Sequence, residues 1–93
     1  MKELVRARIR IRGLVQGVGY RYFARNAAAS LGVSGYVRNV PDGSVEIVAQ
    51  GERTAVNALI DELRLGPRHA SVRSLEVGWE EPTEEFRGFD YAF

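Results

Sequence analysis

The stretch GLVQGVGYRYF, residues 13–23, places three glycines and Arg21 close together. Glycine reaches positive φ and lets backbone come close to a ligand. The amides of Val15, Gln16, Gly17, Val18, Gly19 and Tyr20 could therefore converge on one anion. A helix starting at Arg21 would add its own unpaired first-turn donors and the positive end of its dipole. A cation at that place is mildly unfavourable, by about 0.3–1 kcal/mol, and a bound dianion would reverse the sign. This pattern fits a phosphate cradle; it also fits a tight strand-to-helix turn carrying a solvated arginine. It fits neither common nucleotide loop. No lysine follows Gly19, as a Walker loop requires, and Tyr22 stands where a dinucleotide fingerprint needs its third glycine.

Asn39 is the second residue with chemical potential. Before Pro41-Asp42-Gly43 an asparagine reads first as a turn former. It shares strand parity with Val37, however, so it should face the same side of its sheet as that apolar residue. Whether it meets Arg21 depends on how the surrounding elements are arranged.

Residues 5–12 alternate strictly, Val5, Ala7, Ile9 and Ile11 against Arg6, Arg8, Arg10 and Arg12, as a half-buried strand does. A helix is predicted over 21–31, with Phe23, Ala27 and Leu31 on its inner face and Gly32 as its stop. Residues 34–40 and 44–50 flank the Pro-Asp-Gly turn and read as a hairpin. Val56, Leu59, Ile60 and Leu63 have the spacing of an amphipathic helix over 53–65, closed by Gly66-Pro67. Residues 72–80 alternate again, with Val72 out of phase with Leu75, Val77 and Trp79. The tail FRGFDYAF reads as a short strand on an edge.

The order β-α-β-β-α-β plus a terminal strand predicts an α+β, ferredoxin-like two-layer sandwich, an antiparallel sheet covered on one face by two helices. A right-handed crossover makes its first two strands parallel. Their C-terminal ends then share one edge, which brings the loop at 13–20 beside Asn39.

With 93 residues the chain is expected to form one domain, 1–93. A formal net charge of +1 gives no global field that would draw nucleic acid or an anionic membrane. The absence of cysteine excludes disulfides, thiol catalysis and cysteine-based zinc sites, and fits a cytoplasmic setting. No stretch has the length or apolarity of a signal peptide or a membrane span.

At this point the residues resemble a known family. GLVQGVGYRYF is similar to the first signature of the acylphosphatases and GYVRNVPDGSVEIVAQG, residues 35–51, to the second. Tyr20 stands where phenylalanine is frequent and Tyr36 where tryptophan is, and both keep an aromatic ring. The resemblance implies hydrolysis of the carboxyl-phosphate bond of acyl phosphates, with no metal and no cofactor. It makes Arg21 the phosphate-binding arginine, Asn39 the residue that positions the attacking water, and the amides of 15–20 the cradle. The chemistry of the chain agrees with this. An acyl phosphate leaves as a carboxylate, whose conjugate acid has a pKa of about 4, so no general acid is needed. Positioning and charge stabilisation carry most of a phosphoryl transfer.

The expected partners are a small acyl phosphate and inorganic phosphate as product and competitive inhibitor, with the chain acting as a monomer. The arginine stripe is read as pairing with Glu46, Glu76 and Glu80 rather than binding nucleic acid. His69 is read as a solvated loop residue away from both motifs, and Trp79 as core. Two rivals remain: a binding module that holds the anion without turnover, and a fragment of the larger hydrogenase-maturation carbamoyltransferases. In those a cysteine-rich zinc region follows, whereas this chain ends at Phe93, and the reading adopted is a complete small enzyme.

Overall fold

Alternation in the first residues becomes the centre of the molecule. In the computed structural model, which describes residues 3–83 and 86–93, β1 (Leu4–Leu14) pairs antiparallel with both β3 (Val45–Glu52) and β4 (Ser71–Glu80). β2 (Ser34–Asn39) pairs antiparallel with β3, and β5 (Phe89–Tyr91) closes the other edge. The sheet order is β4-β1-β3-β2-β5. Helices α1 (Tyr20–Leu31) and α2 (Arg53–Leu65) supply the second layer, as expected for the ferredoxin-like arrangement. Ala7, Ile9 and Ile11 are fully buried beneath them, with Val37, Val45, Ile47, Leu59 and Leu63. One expectation about the sheet needs correcting: β5 runs parallel to β2, so the sheet is mixed at that edge.

The phase slip at Val72 has a local cause. The β1–β4 register shifts between Arg12 and Gly13, which leaves Arg73 without an opposite residue and returns Val72 to the helix side. Gly13 sits at φ 132°, and a Cβ there would lie 2.2 Å from the Ser71 carbonyl oxygen. Only glycine fits this bulge.

Two side-chain assignments also change. α1 turns Tyr20, Ala24 and Ala28 fully inward, while Phe23, Ala27 and Leu31 are only partly buried beside that row. Alanines on the innermost line let the helix settle close to the sheet. Trp79 is not core: opposite Ala7 on the edge strand, it is 48% exposed. Its ring lies 5.2 Å from the Arg53 guanidinium instead of under a helix.

The other face of the sheet carries ion pairs. Glu46, nearly buried, accepts from Arg38 Nε at 2.8 Å, Tyr36 Oη at 3.1 Å, and Arg8 Nη1 and Arg10 Nη2 at 3.4 Å each. Glu80 pairs with Arg6 and Arg8, and Glu76 with Arg12. The expected pairing of the stripe is what the structure shows. Thr83 and Phe86, which follow β4 in the chain, lie against this face. Gln50 and Thr83 exchange two hydrogen bonds, and the Phe86 ring lies against Arg6 and Tyr36.

Burial pushes the Glu46 carboxyl up, but the donors of Arg38 and Tyr36 outweigh it and hold it below the ordinary glutamate value. A depressed carboxylate stabilises the fold above its unfolded pKa, about 4.5, and loses that contribution as pH falls through the folded value. Glu46→Gln is therefore expected to lower stability at pH 7 by about 1–3 kcal/mol in urea unfolding. The deficit should shrink as pH falls below about 4.5 and through the folded value, where the wild-type glutamate also loses its charge. A deficit constant over that range would assign the loss to shape rather than charge.

Candidate active site

β1 and β2 both run antiparallel to β3, so they are parallel to each other and end at the same edge. There the β1–α1 loop and the end of β2 meet. Gly17 and Gly19 take φ values of 74° and 80°, a left-handed backbone closed to most side chains. Gly19 is the N-cap of α1, and it offers no side-chain cap to the helix. The first intrahelical bond runs from Phe23 N to Gly19 O, so the amides of Tyr20, Arg21 and Tyr22 have no partner in the preceding turn. No acidic residue occupies that turn. The helix start is open to an external anion.

A cavity of about 360 Å³ lies at this edge, lined by Val15, Gly17, Gly19, Tyr20, Arg21 and Asn39, with Tyr22, Tyr91 and Phe93 around its mouth. The two residues singled out for chemistry are thus brought to one cavity. Gln16 and Val18, expected in the cradle, do not line it. Tyr20 contributes mainly backbone, since its ring is buried and its hydroxyl donates to the Leu63 carbonyl at 2.6 Å. That burial raises the phenol pKa.

Arg21 is held by an aromatic ring rather than by an acid. Its guanidinium carbon lies 5.8 Å from the centre of the Tyr91 ring, within cation–π range. The neighbouring Arg25 also approaches Tyr91 and pairs with Asp90 at 3.7 Å. Among the described residues no carboxylate pairs with Arg21, which leaves its planar fork available. Asn39 Oδ1 is buried and finds no hydrogen-bond partner among the described residues. A buried acceptor without a donor costs about 1–3 kcal/mol, so this oxygen is suited to a donor that arrives with the substrate.

Gln16 has a use that sequence reasoning missed. Its side chain turns away from the cavity, and Nε2 donates to the carbonyls of Val40 and Ser44 at 2.8 Å each. Those carbonyls frame the β2–β3 turn, where Val40 N donates to Ser44 O and Asp42 Oδ1 accepts from Ser44 N and Oγ. One amide group thus ties the glycine loop to the segment next to Asn39. Tyr91 was also missed; only the parallel docking of β5 brings it to Arg21. His69 was placed away from both motifs. The α2–β4 loop instead folds back so that His69 lines a groove shared with Val18, Gly19 and Tyr22.

No three histidine, aspartate or glutamate side chains gather into a metal-binding group among the described residues. Nor is any described helix long and apolar enough to cross a membrane.

Comparison with known proteins agrees with this geometry. The family model described as Acylphosphatase matches residues 7–91. The acylphosphatase of Roseiflexus sp. (strain RS-1) is 51% identical over 89 residues, 96% of each chain. The crystal structure of acylphosphatase from Bacillus subtilis superposes with a TM-score of 0.93 at 31% identity, covering 96% of this chain and 99% of that one. T. kodakarensis HypF contains a similar unit, with a TM-score of 0.80 at 31% identity, but the match spans only 12% of that chain. The open helix start, the left-handed glycines, a guanidinium that no described carboxylate neutralises and the full-length likeness to small stand-alone relatives lead to one assignment: this chain belongs to the acylphosphatase family.

Proposed function

We propose that the enzyme hydrolyses acyl phosphates at the cavity between the glycine loop and Asn39, without a metal ion. The phosphate sits on the amides of Val15, Gly17, Gly19 and Tyr20, the loop residues that line the cavity, and the Arg21 fork holds two of its equatorial oxygens. The observation that carries the reading is the unsatisfied, buried Oδ1 of Asn39 at the rim of an anion cradle. A water donating to that oxygen is held with a lone pair towards phosphorus. It attacks in line with the acyl oxygen, the phosphorus–oxygen bond breaks, and its electron pair leaves with the carboxylate. The water's proton passes to a phosphate oxygen. The products are a carboxylate and inorganic phosphate, which competes for the same cradle. The enzyme is read as a monomer, and the absence of cysteine fits the cytoplasm.

The test is hydrolysis of benzoyl phosphate beside p-nitrophenyl phosphate, both in excess EDTA. Benzoyl phosphate should be turned over, the monoester should not, and added phosphate should inhibit competitively. Loss of activity in EDTA with rescue by Mg²⁺ would sink the metal-free mechanism. Equal turnover of the monoester would make the protein a general phosphatase.

The Gln16 tie makes a separate prediction. Both hydrogens of its amide nitrogen are used, and a carboxylate of the same shape has none to give. Gln16→Glu is expected to lower kcat about tenfold or more by shifting the Asn39 segment, with the inhibition constant of phosphate nearly unchanged. Equal losses in kcat and in phosphate binding would mean that the tie supports the cradle instead.

A further inference from the structure

We propose that the groove between the start of α1 and the α2–β4 loop is an acyl subsite, and that the substrates it selects are acyl phosphates with an extended apolar acyl chain. This inference rests on the hydrolytic reading above, which fixes only where the phosphate goes. The groove, of about 570 Å³, is floored by Val18, Phe23, Ala27 and Pro67. It adjoins the phosphate cavity: Gly19 and Tyr22 line both.

Direction argues for the acyl group entering there. In-line displacement sends the leaving oxygen away from the attacking water, and therefore away from Asn39. Asn39 and Tyr91 line the phosphate cavity but not the groove. An acyl group leaving on the side away from Asn39 passes over the shared edge at Gly19 and Tyr22. That edge is open, since a Cβ on Gly19 would meet nothing within 4 Å.

The chemistry of the walls argues for an apolar occupant. Tyr22 is 63% exposed and has no place in the core, yet its ring flanks the groove. Phe23 and Ala27 are only partly buried, which leaves apolar surface facing the groove for a substrate chain to cover. From Gly19 to Ala27 the helix advances about 12 Å, room for a chain of several methylenes. The polar residues of the lining are Asn26 on α1, Glu62 on α2, and Arg68 and His69 on the loop.

The experiment compares acetyl, butyryl and hexanoyl phosphates. Their leaving carboxylates are nearly equal in acidity, so chain length is the variable. Wild-type kcat/KM should rise with each methylene that enters the groove, by up to about fourfold, the equivalent of about 0.8 kcal/mol. From acetyl to hexanoyl the gain should be at least about tenfold. Asn26→Trp, at an exposed helical position, should fill the groove and flatten the series while acetyl phosphate is hydrolysed as before. If circular dichroism shows that variant misfolded, His69→Trp on the opposite wall serves the same purpose. A flat series in the wild type, or a slope unchanged by a folded groove-filling variant, overturns the subsite. Failure to hydrolyse acetyl phosphate and every longer member would instead overturn the hydrolytic reading itself.

Discussion

Arg21→Lys is expected to lower kcat/KM for benzoyl phosphate by about 10³-fold or more, the scale on which a single transition-state arginine acts in phosphoryl transfer. An ammonium is a point charge and cannot hold two oxygens in one plane. It also loses the stacking surface that the guanidinium presents to Tyr91, 5.8 Å away. Because the fork meets the phosphate both before and during reaction, kcat, KM and inhibition by phosphate should all worsen. Arg21 has no ion-pair partner among the described residues, so stability should change little. A folded lysine variant with wild-type phosphate inhibition would remove Arg21 from the cradle.

Asn39→Ala should separate holding the substrate from attacking it. The proposed water contact forms only when a nucleophile is present, so its loss should lower kcat by about 10²–10³-fold with KM changed little. Inhibition by phosphate should stay near wild type. Removing a buried oxygen that has no partner among the described residues should leave the variant at least as stable as the wild type. A folded Asn39→Ala enzyme with normal kcat would return the asparagine to the role of a turn residue.

That Arg21 and Asn39 line one cavity is legible in the sequence, for a topological reason. One crossover helix forces β1 and β2 parallel, and this alone brings residue 39 to the loop before Arg21. Local rules also located the Gly32 stop, the Pro-Asp-Gly hairpin and the inward row of β1. What they missed depends on contacts distant in sequence. Trp79 kept the inward parity of its strand, but nothing in alternation says that an edge strand lacks a helix above that end. Phe23 and Leu31 have the right spacing for an inner face, yet the closest line went to the smaller Ala24 and Ala28. Gln16 looks like any polar loop residue until the β2–β3 turn is folded against it. Tyr91 gains its neighbour Arg21 only when a three-residue strand docks parallel to β2.

The position of β1 at the heart of the sheet bears on how the protein is made. The ribosome delivers β1 first, yet its partners are β3 and β4, and Arg6 lies opposite Glu80 near the far end of the chain. Closing such distant pairs carries an entropic penalty before any pairing repays it, which slows folding relative to helical domains of this size. Arg21 and Asn39 both emerge before β3 exists, on a segment whose sheet has no second side. Gly13, just before the glycine loop, meets Ser71 and Val72 only once β4 is in place. A nascent chain halted before β4 therefore carries Arg21 and Asn39 without the complete sheet on which their cavity is built.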